Sequence, residues 1–585
     1  MNPKITKKTG IILLAVIIVV QLVFTIFTFA FKKEGVHSDE PWSYGLANSN
    51  YKPFVYLKEG VNIDEAKEND YDNLNKWISS DVLHDYITVQ KGERFNYKSV
   101  YDNQKYDHHP PLYYMVLHTI CSFFPDKFSY WYGFFINCIA LVFTQIYLYK
   151  LGMLITKGKP YMALLICLLY GGGVGAMSTF TFVRMYAMVT ALSTAHIYYQ
   201  FRLYYSEDFN IKKNILPVII TGILGALTEN MFIIIMGLCT ACLCIWLLCK
   251  KKIKKMFIFG FTMLGTLGVA LAIFPYTITQ TLNFSKKDSH LPEYSSQFKS
   301  FLSYITQQNL GFDCFFDSLI IQNIFLGFIL FLLLCYLFRQ KKPFSIINPK
   351  IIKLFNSAKE IILYVFRNLK TLIKKVCWPV VFIIAIVIGY CAISAKMIDV
   401  SVMGIYSSRY VMPLFPLICV AAVILIHFLA EHFSGLKKHT PAVCSAFVVI
   451  MIVASNITSS NAFLFTQPDD YKDLSEITKG QKCEVVLHIP WRMTCFAGHL
   501  RNCSQVKFSD IPHFYDGKNK TIKFDGAENN QTVYLIIDST KKGMKNYFTE
   551  KRTVKILKKN PDVNSIKLEG HIFFQGGNCS IYKIN

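Results

Sequence analysis

Two neighbouring acidic residues, Asp39 and Glu40, are the first side chains in this sequence that could perform acid–base chemistry. They lie in the heptapeptide HSDEPWS, and Asp39 follows an apolar run that ends at Phe31 by eight residues. Eight extended residues reach at most about 26 Å, so both carboxylates can stay near the end of that run. A carboxylate fixed at a membrane interface can act as general base on a hydroxyl group while a lipid-linked substrate stays in the membrane. A solvated surface pair is the simpler alternative.

A second polar group lies in the segment YDHHPPLYYMVLH, residues 106–118. Its two prolines suit the start of a helix, and the residues after them place an apolar stripe on one side. That stripe comprises Leu112, Tyr113, Val116, Leu117 and Ile120. The segment is too short to cross a membrane, so it predicts a helix on the outer surface with Asp107, His108 and His109 at its N-terminus. These three side chains can hold a phosphate, bind a metal ion or only cap the helix.

Two arginines form a third group, because each lies close to the outer end of an apolar run. They are Arg184, in TFVRMYAM, and Arg409, in IYSSRYVMPLFP, and an aromatic residue follows each of them. A charged side chain at this depth is costly and indicates function, unless it snorkels to the interface. Both arginines can face one anionic lipid headgroup, which would suit a phosphodiester leaving group.

The elements that must position these side chains are membrane helices, since 52% of the 585 residues are hydrophobic and only 17% are charged. A bilayer core of about 30 Å needs roughly 20 apolar residues per helix. The first run, Thr9 to Phe31, is too long for a secretory signal and no small-residue cleavage site follows it, so we expect a retained helix. With the later runs it makes about eleven predicted spans, the others lying near 129–151, 161–180, 185–203, 214–228, 231–249, 256–275, 318–338, 378–395, 411–430 and 441–457.

In a soluble protein, a net charge of +24 would suggest a nucleic-acid partner. In this sequence, the positions of the basic residues instead indicate how the chain is oriented in the membrane. Basic residues cluster in alternate connections, which is the positive-inside pattern with the N-terminus in the cytoplasm. The clusters lie at 150–159, 212–213, 250–255, 339–375 and 437–438. The stretch 339–377 is amphipathic and is expected to lie along the inner surface. The segments 32–128, 276–317 and everything after about 458 are then outside, in a multi-pass plasma-membrane protein.

The chain is therefore predicted to have two parts, a membrane region over residues 1–460 and an extracytoplasmic domain over 461–585. In the second part, polar turns separate β-like runs at Glu484 to Ile489, Thr532 to Ile537 and Ile572 to Tyr582, with a helix near 540–550, which predicts a small α/β domain. Its four cysteines can form one of three disulfide pairings or stay free; they are Cys483, Cys495, Cys503 and Cys579. The fold class is thus an α-helical polytopic membrane protein with a small α/β domain at its C-terminus.

At these motifs the membrane part, roughly residues 10–457, resembles the GT-C glycosyltransferases. The resemblance rests on the acidic pair after the first helix, HPPLYY at the end of the first outer loop, Arg-Met-Tyr at the start of an early helix, and Arg-Tyr with spaced prolines in a late helix. The most similar branches are the protein O-mannosyltransferase-like and lipid A aminoarabinose-transferase-like ones. The resemblance implies a helical membrane bundle and a reaction that takes a sugar from a polyprenyl phosphate with inversion, and the first acidic residue of the pair as base.

Carried onto this sequence, the resemblance makes Asp39 the base and Glu40 its support or a residue that positions the acceptor. It places His109, Arg184 and Arg409 near the donor phosphate. The supporting residues are Asp107, His108, Tyr113, Tyr186 and Tyr410. Where many relatives have His-Tyr after Leu-Thr, this chain has Leu227, Thr228, Glu229 and Asn230. That departure puts a metal or phosphate role at this position in doubt, and the need for a divalent cation stays open.

Two other functions compete with a transferase. Eleven spans with intramembrane arginines would also serve a transporter or flippase of an anionic substrate, and a GT-C-like scaffold can bind a lipid-linked sugar without turnover. The polar groups gather at the outer face rather than at the midplane, which favours the transferase. The expected partners are a polyprenyl-phosphate sugar, a lipid, glycan or protein acceptor, and membrane lipid. The Lys-, Ile-, Asn- and Tyr-rich composition fits a bacterium with AT-rich DNA, and the sequence names neither the sugar nor the acceptor.

Overall fold

The computed structural model describes residues 5–287 except 64 and 207, residue 301, residues 378–397 and 404–432, and residues 437–585 except 460, 517–520, 525–531, 539–549, 561–562 and 575–576. Several predicted segments therefore lie wholly or mostly outside the described residues. They are the apolar run 318–338, the amphipathic stretch 339–377, the outer loop 276–317 and the helix near 540–550. These remain predictions.

The chain begins with a long apolar helix and continues into a compact outer region. Helix α1 spans Lys7–Phe31, and beyond its first turn the exposed side chains are apolar, including Ile11, Val19 and Val23. Such a surface is stable against lipid tails and costly against water. The outer region then contains α2 (Asp39–Asn48), β1 (Trp77–Ser79), α3 (Asp81–Ile87), α4 (Tyr97–Tyr106) and α5 (Leu112–Ser122). The helix predicted after the double proline is confirmed as α5, although Tyr113 and Leu117 are fully buried rather than at the surface.

Seven helices of the described chain are long and apolar enough to cross a bilayer, and the α7–α8 pair, bent by 60°, makes an eighth if it is one broken span. The helices after the outer region are α6 (Tyr130–Ile155), α7 (Pro160–Gly172), α8 (Val174–Thr181), α9 (Tyr186–Ser206), α10 (Leu216–Ala226), α11 (Phe232–Cys249), α12 (Ile253–Ile273), α13 (Tyr276–Lys287), α14 (Trp378–Met397), α15 (Phe415–His432) and α16 (Thr440–Thr458). A 3₁₀ turn, Gly404–Leu414, leads into α15. The predicted count of eleven is not confirmed, because α9 carries many polar residues and α10 has only 11 residues.

The C-terminal part is an α/β domain, as predicted. Its helices are α17 (Leu474–Ile477), α18 (Met493–Leu500), α19 (Ile511–Phe514) and α20 (Glu550–Leu557); its strands are β2 (Lys482–Leu487), β3 (Gln505–Asp510), β4 (Tyr515–Asp516), β5 (Thr521–Ile522), β6 (Val533–Asp538), β7 (Ile566–Phe574) and β8 (Gly577–Ile584). Strand β2 is the parallel partner of both β3 and β6. The run Ile572 to Tyr582, predicted as one strand, contains parts of two antiparallel strands, β7 and β8.

One edge strand of the sheet in the C-terminal domain comes from the outer region. Its order is β1-β3-β2-β6-β8-β7, and β1 pairs antiparallel with β3, with Ile78 opposite Val506. This long-range pairing holds the first outer segment against the C-terminal domain. Cys483, Cys495, Cys503 and Cys579 are all buried and present as free thiols in the described structure.

Candidate functional site

The acidic pair opens a helix, because Asp39 and Glu40 form the first turn of α2. Negative side chains are favoured there by the unpaired N–H groups of the helix N-terminus. The backbone N–H of Asp39 donates to Nδ1 of His37 (3.1 Å), and the N–H of Glu40 donates to the His37 carbonyl (2.9 Å). Burial lowers the pKa of His37 to about 4, so its ring is neutral at pH 7. The two carboxylates then diverge into different surroundings.

Glu40 points into the protein and is fully buried. Its Oε1 lies 2.6 Å from Nζ of Lys33 and accepts from the N–H of Val183 (2.9 Å), while Oε2 accepts from the N–H of His37 (2.7 Å). Burial raises the pKa of the Glu40 carboxyl and lowers the pKa of Lys33, but these close contacts stabilise the ionised pair. With both oxygens engaged, Glu40 has no free position for a substrate, and it anchors the start of α2.

Asp39 points the other way, into an open cleft, and 21% of its side chain is exposed. The cleft has about 940 Å³ of empty space, part of it open to solvent. Oδ2 of Asp39 lies 3.7 Å from Nε of Arg409. Burial alone would raise the pKa of Asp39, but His37, Arg409 and Arg184 hold it well below its usual value. Since His37 is neutral, we attribute this mainly to the two arginines, and Asp39 is ionised at neutral pH.

Arg184 lies in the break between α8 and α9, and it is 4% exposed. Its Nη1 donates to the carbonyl of Asp39 (3.1 Å) and to Oγ of Ser43 (2.9 Å), so it is fixed to both ends of the first turn of α2. The guanidinium also lies over the ring of Tyr114, 5.8 Å from its centroid. Such a rigid, buried cation is prepared to receive an anion without further ordering.

Arg409 lies in the 3₁₀ turn before α15 and faces Asp39 from the opposite wall. Its Nη1 donates to the carbonyl of Tyr406 (3.1 Å), Nη2 donates to the hydroxyl of Tyr410 (3.2 Å), and the guanidinium stacks 4.8 Å over the Tyr410 ring. The ring of Tyr186 meets that of Tyr410 edge-on at 6.1 Å. These contacts hold Arg409 in one place, as a binding site requires.

The segment just before α5 forms a third wall of the cleft. Nδ1 of His109 lies 2.8 Å from Oδ2 of the buried Asp107, and Nη2 of Arg184 lies 3.4 Å from the same nitrogen. Burial would raise the pKa of Asp107, but His109, then His108 and Arg184, lower it. Gln280 secures this wall by donating to the carbonyls of Gln104 (2.8 Å) and Asp107 (2.7 Å).

The structure brings eight of the ten predicted site residues to the cleft: Asp39, Asp107, His108, His109, Arg184, Tyr186, Arg409 and Tyr410 line it. Glu40 and Tyr113 do not; both are fully buried behind it. Sequence reasoning missed Ser43, Tyr114, Gln280 and the Glu40 partner Lys33. Glu229 and Asn230 also line the cleft, and the only sequence signal for them was the departure from the His-Tyr pair.

A short segment between α16 and the C-terminal domain packs under the turn that carries Asp39. The N–H groups of Glu34 and Gly35 donate to the carbonyl of Leu464 (2.9 and 3.3 Å), and the N–H of Gln467 donates to Oε2 of Glu34 (2.8 Å). A Cβ at Gly35 would lie only 2.6 Å from Nε2 of Gln467, which explains the glycine. The Gln467 amide in turn pairs with the backbone of Phe573 in β7. The C-terminal domain is thereby joined to the turn that carries Asp39.

Among the described residues, no group of three His, Cys, Asp or Glu side chains is arranged to hold a metal ion. No protein-family model matches the sequence, and a search of curated proteins finds no match. A similar solved structure is the crystal structure of ArnT from Cupriavidus metallidurans bound to undecaprenyl phosphate. The two share 9% sequence identity with a TM-score of 0.47 over 97% of each chain.

Proposed function

We propose that this protein is an inverting glycosyltransferase that moves a sugar from a polyprenyl-phosphate donor to an acceptor hydroxyl at the outer face of the membrane. One observation carries the proposal: the ionised Asp39 opens into a cleft that is also lined by two buried arginines, each held by hydrogen bonds to the protein. A base and a double cation in one cleft suit a reaction in which a hydroxyl loses its proton while an anionic phosphate departs.

In the proposed reaction, Arg184 and Arg409 bind the donor phosphate. The acceptor oxygen attacks the anomeric carbon from the side opposite the phosphate, and Asp39 takes the hydroxyl proton. The bond between the anomeric carbon and the phosphate oxygen breaks, and its electron pair leaves with the polyprenyl phosphate. A single displacement of this kind inverts the anomeric centre.

The same arrangement explains how a carboxylate with a depressed pKa can serve as a base. When no donor is bound, both arginines stabilise the Asp39 anion, which makes it a weak proton acceptor. When a donor phosphate binds, its negative charge competes for the two guanidinium groups. The pKa of Asp39 then rises, and the base becomes stronger only in the complex with the donor.

Substituting Arg184 or Arg409 by Ala is expected to weaken donor use, because each change removes a charge-assisted contact to the phosphate. Such a contact contributes about 1.5 to 3 kcal/mol, and kcat/KM for the donor should fall by roughly 10- to 150-fold. The rate of polyprenyl phosphate release from a short-chain donor measures the effect. Arg202→Ala, near the far end of α9, is the matched control. Wild-type kinetics in both cleft variants would mean that the arginines do not hold the donor.

The proposed sidedness predicts which cysteines a membrane-impermeant maleimide reaches in intact cells. Lys91→Cys in the outer region and Lys567→Cys in β7 should react, because both side chains are exposed, at 83% and 75%. The native Cys249, exposed at the end of α11, should react only after permeabilisation. Labelling of Cys249 in intact cells, checked in a Cys249→Ser control, would reverse the orientation and contradict action at the outer face.

A further inference from the structure

A group of hydrogen-bond acceptors lines the cleft beside the arginines. Glu229, in the connection between α10 and α11, lines the cleft and is 5% exposed. In the part of the chain that the structure describes, its Oε2 has no hydrogen-bond partner. A buried carboxylate oxygen without a donor is costly and is rarely retained without a role.

A ring nitrogen of His109 lies close to that oxygen. Nε2 of His109 lies 4.0 Å from Oε2 of Glu229. On the other side of the ring, Nδ1 is 2.8 Å from the Asp107 carboxylate, which can only accept a hydrogen bond, so Nδ1 carries the proton. The tautomer with Nδ1 protonated presents the lone pair of Nε2 toward Glu229, so both groups can accept a hydrogen bond from one ligand.

Asn230 adds a third acceptor beside them. Its Nδ2 donates to the carbonyl of His108 (2.8 Å), which fixes the orientation of the amide. Its Oδ1 is buried and, among the described residues, has no donor. Three neighbouring residues thus offer acceptors and no free donor, which is the complement of a ligand that carries several hydroxyl groups.

We propose that Glu229, with His109 and Asn230, forms the subsite for the sugar of the donor and accepts hydrogen bonds from its hydroxyl groups. This assignment rests on the proposed function and refines it. An ionised phosphodiester has no hydrogen to donate and would be repelled by Glu229, so the phosphate belongs with Arg184 and Arg409. His109, predicted near the phosphate, is assigned to the sugar instead. The subsite favours a neutral sugar over one that carries a carboxylate.

The test compares two kinds of probe, one without a sugar and one with a sugar. Binding of farnesyl phosphate and of farnesyl-phosphate glucose, mannose and galactose to the purified full-length protein is measured by calorimetry for the wild type, Glu229→Ala and Glu229→Gln. For the sugar that the wild type binds best, we expect Glu229→Ala to raise Kd at least about tenfold, with a smaller rise in Glu229→Gln. The Kd for farnesyl phosphate should stay the same or fall, which also shows that the cleft is folded.

The matched control is Glu431→Ala, which removes an exposed carboxylate at the other end of α15 and should change neither Kd. Equal weakening of both probes by Glu229→Ala would assign Glu229 to the phosphate or to structure and overturn the proposal. A chelator that abolishes sugar-probe binding in the wild type but not in Glu229→Ala would make Glu229 a metal ligand, which also overturns it. If the wild type binds farnesyl phosphate but discriminates no sugar, only this assignment fails; if it binds none of the probes, the proposed function fails with it.

Discussion

Replacing Asp39 by Asn is expected to lower kcat by about 10²- to 10⁴-fold, which corresponds to roughly 3 to 5.5 kcal/mol. The change keeps the shape of the side chain but removes the site that accepts the proton of the attacking hydroxyl. Donor affinity should stay within a few fold of wild type, because the phosphate is held by Arg184 and Arg409. Single-turnover release of polyprenyl phosphate, measured beside donor binding, separates the two effects.

The control is Asp85→Asn, an acidic residue of the same outer region that does not line the cleft. It should leave kcat unchanged. Normal turnover in Asp39→Asn together with an inactive but fully folded Glu40→Gln would move the base by one residue. If neither change affects turnover, the transferase proposal loses its main support.

The depressed pKa of Asp39 adds a pH dependence to this prediction. The base works only when ionised, so activity is lost as the pH falls through its pKa, which lies well below the usual value of about 3.9 in the free protein. We therefore expect kcat/KM to show no loss from Asp39 as the pH is lowered from neutral to weakly acidic. A loss centred near neutral pH that disappears in Asp39→Asn would contradict the charge arrangement described for the cleft.

Glu40→Gln is expected to destabilise the protein by about 3 to 5 kcal/mol, because it leaves Lys33 buried without its counter-charge. Lys33 also donates to the carbonyls of Thr181 (3.0 Å) and Phe463 (3.4 Å), so its displacement would disturb α8 and the segment that leads to the C-terminal domain. The thermal midpoint of the purified protein in detergent, with and without donor, measures the change.

The double variant Lys33→Met with Glu40→Gln provides the control for this effect. Removing both charges should recover part of the stability lost in the single variant, since no unpaired charge remains. An unchanged thermal midpoint in Glu40→Gln, combined with lost turnover, would show that Glu40 acts in the reaction rather than as an anchor.

The sequence was most informative where a residue was costly in its position. Arg184 and Arg409 stood out because charge is expensive next to apolar helices, and Asp39 because it follows the first helix so closely. The double proline before Leu112 located α5 through local backbone preference alone. These signals are local, so they could be read without knowledge of the fold.

The remaining features depend on contacts between distant parts of the chain. Lys33 became the partner of Glu40 only because the turn between them folds back, and β1 joins a sheet whose other strands lie some 400 residues later. Glu229 reaches the cleft because α10 ends early beside α5, where the Leu112 N–H donates to the Leu227 carbonyl (3.0 Å). Hydropathy also could not show that the run 161–180 bends into two helices.

The most direct test of sugar transfer is turnover by the wild-type protein in proteoliposomes. The purified chain would be supplied with farnesyl-phosphate glucose, mannose and galactose and with a membrane extract as acceptor, and the products analysed by mass spectrometry. We expect release of free farnesyl phosphate with one of these sugars, matched by gain of that hexose on the acceptor, and none of either with Asp39→Asn. Movement of intact donor across the bilayer without release of farnesyl phosphate would contradict it and indicate a transporter.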